Sequence, residues 1–524
     1  MNDRSGAEGT TRPVATQIQE DKAGSPVWAG LAKIFRATFG SGVPEMSASL
    51  RPRDVKGWDS FNHMNLIAAI EANWNIAFTV GELQSITNVG DIATLVDKKL
   101  SSTPESVVAE ADAKIAESQI IGSTFTLELP RTLSDSLASD IEKASVYLST
   151  ELAQLSVSPD RTLVQVTSVP GCDVDKLRGK VERFITAMVS KTREIENKKH
   201  FDRARTHKTP PITGVHDELV RRGWVYEHGV GQVSLSGPAL RLMQRLDARF
   251  AELYREHFGA VDRMFPAMVS SELLSRVGYF ESHPNAASFV CHMVEDFDEL
   301  ETFRKANTGG QFVNPTGDLL ASPHHCLNPA ACFPCYEAFQ KQRLQTDTKV
   351  LTWTGRVFRY ESRNMRGLER LWEFNVRELV FIGSDDFIFE ARRKAVALVA
   401  QLAEEWNLDC FIETATDAFF PTVFAERSFW QQVTDVKYEI RLAIEPSALE
   451  ARRTIAGGSI NLHGPFFGER FDITLPNGGP ASTACVGWGL ERWVLALFSQ
   501  HGFDSNDWPV GLRGIFAAGQ EEPV

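Results

Sequence analysis

Ser482-Thr-Ala-Cys-Val-Gly-Trp-Gly-Leu-Glu-Arg-Trp-Val-Leu-Ala-Leu-Phe498 is the stretch on which the fold turns. Its first half is made of small residues and is expected to turn. Its second half repeats apolar residues at Leu490, Trp493, Val494 and Leu497, the spacing of a helix with one face in a core. Gly487 and Gly489 let a backbone come close to something bulky and flat. Arg492 falls in the first helical turn among apolar neighbours, where an unpaired charge is expensive. Either this is a core helix with one salt-bridged arginine, or the guanidinium holds an anion. A planar fork of donors suits a triphosphate.

Gly487-Trp-Gly-Leu-Glu-Arg492 resembles motif 3 of the class II aminoacyl-tRNA synthetases, in which the arginine holds the end of ATP. With Thr483-Ala-Cys-Val486 in front of it, the stretch is similar to the amino acid:[carrier protein] ligases and the related atypical zinc-dependent seryl-tRNA synthetases. Phe358-Arg-Tyr-Glu361 and Phe374-Asn-Val-Arg-Glu-Leu-Val380 resemble motif 2, two strands joined by a loop. The resemblance implies that Arg359 grips the α-phosphate and the amino-acid carboxylate. It also implies that Glu361 reads the adenine amino group and that Phe374 stacks on adenine. Arg359 and Arg492, with Mg²⁺, would hold charge on the crowded phosphorus. Glu439 falls where an acid helps hold Mg²⁺. Asp417, Ser459 and Asn461 lie in segments that border the amino-acid pocket in the family.

His324-His-Cys-Leu-Asn-Pro-Ala-Ala-Cys-Phe-Pro-Cys335 admits two readings. One is a self-contained zinc knuckle on Cys332 and Cys335, weakened because no second Cys-x-x-Cys stands at structural spacing. The resemblance implies the other: Cys332, Glu378 and Cys485 as three zinc ligands drawn from far apart in the chain. Three protein ligands leave a position open, as in working zinc sites. In the family that position takes the substrate's amino group. Phe265-Pro-Ala-Met268 and Gly278-Tyr-Phe-Glu-Ser-His-Pro284 resemble motif 1, which implies a homodimer.

Nearer the N-terminus, Met1–Ser25 is polar and without period and is expected to be disordered. Val27, Leu31, Ile34, Phe35 and Phe39 predict a helix. Gly57-Trp-Asp-Ser-Phe-Asn-His-Met64 opens a second, and Ile92–Val96 a last one. Asp59 and Ser60 stand where a cap belongs. The arrangement resembles an acyl or peptidyl carrier protein, which implies 4′-phosphopantetheine on Ser60 and a phosphopantetheinyl transferase as partner. The expected plan is a disordered tail (1–25), an all-α four-helix carrier domain (26–102) and a linker (103–117). A small α+β accessory domain (118–212) and an α+β class II catalytic domain with a mainly antiparallel sheet (213–524) follow. In the accessory domain Thr124–Leu129 and Leu163–Thr167 read as strands, Leu133–Leu155 and Val174–Val189 as helices. The basic run from Glu194 to His207 reads as a solvated helix end and linker.

The chain has 524 residues, room for three or four domains of roughly 150 each. No stretch is apolar and long enough to span a bilayer, and no signal pattern opens it. Seven scattered cysteines point to a reducing, cytoplasmic setting. A formal charge of −13 argues against a large nucleic-acid face, so tRNA is an unlikely partner. The expectation is ATP-dependent activation of glycine, alanine or serine, with transfer to the thiol of a carrier protein, fused or separate. The alternatives are a seryl-tRNA synthetase-like enzyme that charges tRNA, and a non-catalytic paralogue that binds amino acid and ATP.

Overall fold

The computed structural model describes residues 122–205, 212–308, 312–445 and 452–517, together with 26–39, 88–101 and scattered positions between 44 and 86. The chain divides into two compact units, Met1–Ala116 and Glu117–Val524. In the first unit the helices Pro26–Phe39 and Val89–Ser101 pack on each other, burying Leu31, Phe35, Ile92 and Val96. The Phe35 ring meets Trp58 edge-on at 5.1 Å. Asp59, Ser60, the tail and the linker lie outside the described residues. Of the expected four-helix carrier the structure therefore gives two continuous helices, and a four-helix fold is not shown.

The second unit opens with the accessory fold: β1 (Thr124–Glu128), β2 (Leu152–Val157) and β3 (Leu163–Ser168) in the order β1-β3-β2, antiparallel throughout. Two helices cover it, Asp135–Ser145 capped by Ser134 and Val174–Ile185 capped by Asp173. Ile141, Val164, Val166, Leu177 and Val181 form its core. The helix expected over Leu133–Leu155 stops at Ser145, and Leu152 begins β2. Pairing with the apolar strand β3 outweighs the helical spacing there, as tertiary partners often do.

The basic run is not a linker. Lys199–Arg203 is β4, the edge strand of the eight-stranded catalytic sheet. That sheet runs β4, β13 (Cys410–Thr414), β14 (Lys437–Ala443), β15 (Thr454–Gly464), β16 (Ser482–Gly489), β12 (Glu373–Gly383), β11 (Thr348–Phe358), β7 (Val261–Asp262). All its pairs are antiparallel except β11 with β7. A hairpin, β5 (Val225–Gly229) and β6 (Gln232–Leu235), stands apart from it. So does a small sheet, β8 (Met268–Ser270), β10 (His325–Leu327) and β9 (Phe289–Val290).

Alternation along the strands sorts the catalytic sheet's two faces. Leu379, Phe381, Ala484, Val486 and Trp488 point into the main core with the helices Gly237–Phe258, Asp385–Glu405 and Leu490–His501. Leu351, Trp353, Val380, Ile382 and Cys485 point the other way, into a second core with Phe333–Ala338 and Phe466–Phe471. Leu490, Trp493, Val494 and Leu497 are all buried, as their spacing predicts. The small-residue half of the motif 3 stretch is a central strand rather than a turn, because β15 and β12 pair with it on both sides. Arg377, on the main-core side, is held by both oxygens of Asp247 at 2.7 and 2.6 Å and is structural.

Candidate metal and anion site

On β12, Glu378 shares its face with Val380, whose register partner across β16 is Cys485. Cys332 comes from elsewhere, as the residue before the short helix Phe333–Ala338. One ligand atom from each of Cys332, Glu378 and Cys485 lies within 4.8 Å of the others, and all three residues are buried. Among the described residues no other set of three His, Cys, Asp or Glu donors comes together in this way. Cys335 and Cys326 are buried in the same core but offer no sulfur to this set, so the knuckle arrangement is not formed.

The donor set fits a cation. Glu378 is 4% exposed and, among the described residues, has no lysine, arginine or histidine in ion-pair reach. Burial first, then the charge of Cys485, pushes its carboxyl well above the ordinary range. Its hydrogen bond with Cys332, followed by burial, pushes the Cys485 thiol up as well. Three such groups are stable as anions only around a metal, and two thiolates favour zinc over harder ions. Asn461, the register partner of Cys485, donates to its Sγ at 3.5 Å and to Ser459 Oγ at 2.9 Å. His463 Nε2 lies 3.8 Å from the same sulfur, with its Nδ1 near Thr483 and Tyr336.

Gly487 makes the space. A Cβ there would stand 2.9 Å from Glu378 Oε2 and 3.3 Å from Val376 Cγ1. What the glycine admits is thus a carboxylate, not a flat ligand. Gly487→Ala is expected to fold but to displace Glu378, lowering zinc affinity by about 10- to 100-fold. Metal per chain after dialysis against graded chelator checks this, and parent-like retention would refute it.

A second group of charged side chains is carried by the loop after β11 and by the first turn of the helix Leu490–His501. Arg359, next after β11, is exposed and hydrogen-bonds through Nε only to Pro329 O, at 2.9 Å. Its guanidinium lies 5.7 Å from the Phe374 ring centroid. Arg492 donates to Glu369 O at 2.7 Å and Ala456 O at 3.0 Å. Neither arginine has an acidic partner among the described residues. Burial, then Arg370, pushes the Arg492 pKa down to about 10; Glu361 and Glu439 oppose this and Arg359 adds to it. Glu361 is bound by Arg370 at 2.8 Å, and Glu439 by Arg441 at 3.2 Å. The charge of Arg359 pulls the pKa of both Glu378 and Lys437 down slightly, as the smallest of the causes at each.

Asp417 belongs to a third charged group. It is ion-paired with buried Lys437 and accepts from Gln431 Nε2 at 2.7 Å. Burial raises its pKa, but Lys437 and His283 outweigh it and hold the carboxyl below the ordinary range. Lys437 also reaches Glu439 at 3.7 Å, tying the two acids together. Lys437, Arg370, Arg441 and His463 carry charge or donors here and have no assigned role in the sequence reading. His463 was within reach, since it shares the β15 alternation of Ser459 and Asn461.

His283 stacks against Tyr279 at 5.4 Å and leaves Nδ1 unpartnered. Burial pushes its pKa from 6.5 down to about 4. The unfolded chain therefore takes up the proton first as pH falls, and stability drops between 6.5 and about 4. In His283→Gln the melting temperature should fall less over that window than in the parent. Parallel curves would refute the assignment.

Comparison with known proteins agrees with this geometry. Residues 321–501 match the tRNA synthetase class II core domain (G, H, P, S and T). The large sheet, the match and the motif positions make this part of the chain a class II synthetase-like catalytic core. Among curated proteins, the type-2 serine–tRNA ligase of Methanocaldococcus jannaschii is 30% identical over 302 residues, 56% of this chain and 57% of that protein. That of Methanopyrus kandleri is 28% identical over 307 residues, 56% of this chain and 58% of that protein. The chain thus matches little more than half the length of these relatives. A solved structure of M. kandleri SerRS in complex with A. aeolicus tRNASec superposes with a TM-score of 0.53. It covers 75% of this chain and 77% of that one at 22% identity, a likeness of fold.

These relatives correct two expectations. The expected loading of a carrier protein is overturned: the matched proteins are named serine–tRNA ligases, not carrier-protein ligases. Nothing among them supports phosphopantetheine on Ser60. The expectation that tRNA is an unlikely partner falls too, since the solved neighbour holds a tRNA. The charge argument failed for a physical reason: −13 is a sum over the whole chain, whereas phosphate contacts are made by local patches.

Proposed function

We propose that the chain activates a small amino acid, serine foremost, as an aminoacyl-adenylate and passes it to tRNA. The observation that carries this is Arg359: exposed, without an acidic partner among the described residues, and hydrogen-bonded to Pro329 O, three residues before Cys332 of the buried donor set. The names of the relatives favour serine and tRNA.

An amino-acid carboxylate oxygen attacks the α-phosphorus of ATP; the bond to the β-phosphate bridging oxygen breaks and pyrophosphate leaves. Arg359 holds the α-phosphate and the attacking carboxylate together, so that the approach starts from a near-attack distance. Arg492 meets the outer phosphates, its fork held in place by two backbone carbonyls. Phe374 offers a face to adenine. Glu361 accepts from its amino group with the oxygen that Arg370 leaves free. Glu439, and the Asp417–Lys437 pair tied to it, would position Mg²⁺ and the amino-acid side chain respectively. Cys332, Glu378 and Cys485 would hold zinc, which supplies a Lewis-acid position for the substrate amine. Ser459 and Asn461 border that position. A homodimer through the 265–284 segment belongs to the same reading, and Met264 (90% exposed) and Met268 (45%) leave apolar surface for it.

Pyrophosphate exchange with serine, alanine and glycine tests the first half, and labelled amino acid with tRNA the second. Serine-dependent exchange and labelled tRNA are expected. Absence of exchange with every amino acid overturns adenylation. Exchange without labelled tRNA overturns the acceptor.

A further inference from the structure

Asp417 sits on the irregular stretch between β13, which ends at Thr414, and the helix Pro421–Val433. A carboxylate on such a stretch is aimed only as well as its neighbours hold it. Lys437 holds one oxygen: its ammonium pairs with Asp417 Oδ1 and lies 3.5 Å from Thr416 O. A point charge alone leaves the carboxylate free to pivot about that oxygen. Gln431, on the helix, removes the freedom. Asp417 N donates to Gln431 Oε1 at 2.6 Å, and Gln431 Nε2 donates to Asp417 Oδ2 at 2.7 Å. The pattern fixes the orientation of the amide, because a backbone N–H only donates and a carboxylate only accepts. One side chain thus ties the main chain of Asp417 to its own carboxyl.

The helix has a firm seat of its own. Phe424 is buried in the core of the accessory fold. Gln432 Nε2 donates to Ile195 O at 3.3 Å and to Asn197 Oδ1 at 3.1 Å. Gln431 therefore acts from a fixed support on a residue that has none. Lys437, Asn461 and Cys485 are register partners on β14, β15 and β16, so their side chains share one face. Neighbouring strands lie about 4.8 Å apart, which puts Lys437 roughly 10 Å from Cys485 along that row. That is the span of one small amino acid and the groups that would hold it. Despite its contacts, the Asp417 side chain is 39% exposed. A carboxylate has about four acceptor positions, so with one used at each oxygen others stay open.

We propose that Gln431 is a positioning residue for the choice of amino acid: it turns Asp417 so that an open lone pair accepts from the hydroxyl of serine. The preference for serine over alanine then depends on a residue that touches neither. This deepens the serine reading of the site and rests on it. A site built to hydrogen-bond a hydroxyl rejects the analogue without one, because its own polar group is left unpaired.

The test is calorimetric binding of seryl- and alanyl-sulfamoyladenosine, unreactive analogues of the two adenylates, to the full chain. In Gln431→Ala the preference for the seryl compound should fall about tenfold, the worth of one hydrogen bond to a charged group. Affinity for the alanyl compound should not change. Gln431→Glu gives a signature that a merely structural role does not. Protonated, its carboxyl offers a carbonyl to Asp417 N and a hydroxyl to Oδ2, as the amide does; ionised, it faces another carboxylate. This variant should therefore discriminate like the parent at about pH 5 and like Gln431→Ala at about pH 8. The other charged groups around Asp417 are Lys437 and Glu439 on β14, His283, Arg359 and Arg427. Burial holds the His283 pKa down at about 4, and Asp417 outweighs burial in raising that of Lys437, so neither changes charge in this interval. Gln432→Ala, which loosens the helix without touching Asp417, should keep the parent preference. Thermal melting checks folding, and Gln431→Met replaces the alanine variant if that one unfolds. A parent that binds both compounds alike overturns the serine reading itself. A parent that prefers the seryl compound, with Gln431→Ala preferring it equally, overturns this proposal alone. So does a Gln431→Glu chain whose preference ignores pH, or a Gln432→Ala chain that loses as much as Gln431→Ala, since the helix would then be scaffold only.

Discussion

Arg359→Ala is expected to lower serine-dependent pyrophosphate exchange by about a thousandfold, the upper end for losing one preorganised charge at a reacting centre. The argument is positional. Of the arginines named above, Arg370 is paired with Glu361 and Arg441 with Glu439, so their charge is largely spent within the protein. Arg492 is half-buried, with its fork held by the carbonyls of Glu369 and Ala456. In the proposed reading Arg359, exposed and without an acidic partner among the described residues, is the arginine that touches the amino acid and the nucleotide at once. Its loss should appear mainly in kcat, because the contact strengthens as charge develops on phosphorus. Arg359→Lys should recover only part of the rate, since a point charge cannot bridge two acceptors as a fork does. An alanine variant within about tenfold of the parent would show that Arg359 lies outside the reacting centre.

What the sequence made legible follows from the range of each signal. Local periodicity marked the helix Leu490–His501 and placed Arg492 in its first turn. It misled at Ser482–Gly489, where small residues suggest a turn but two flanking strands impose a third. It also misled at Lys199–Arg203, whose charges conceal an edge strand; one face of such a strand can remain polar. Cys332, Glu378 and Cys485 are separated by scores of residues, and no spacing rule joins them. Their proposal as a set came from family resemblance, and the structure brings them within 4.8 Å. The whole-chain charge was the weakest guide, because recognition of phosphate depends on where the lysines and arginines stand.

Removing the donor set should separate two effects that share a site. Cys485→Ser and Glu378→Gln are each expected to take bound zinc from about one per chain to below about a tenth, because a structural or working zinc needs its full set of protein ligands. The two substitutions then differ. Cys485→Ser leaves a small polar group on a central strand and should melt within a few degrees of the metal-free parent. Glu378→Gln removes a carboxyl that is buried without a cation, so its metal-free form should melt no lower than the metal-free parent. In both, the amino-acid KM should rise by two orders of magnitude or so while ATP binding, read by the fluorescent analogue, changes little, because Arg359 and Arg492 remain. That split assigns the cluster to the amine and the arginines to the phosphates. If ATP affinity collapses along with zinc, the cluster holds up the nucleotide-binding arginines instead of serving the amino acid. If zinc stays at parent level in both variants, Cys332, Glu378 and Cys485 are simply three acids of a dry core, and the cation that their burial calls for lies elsewhere.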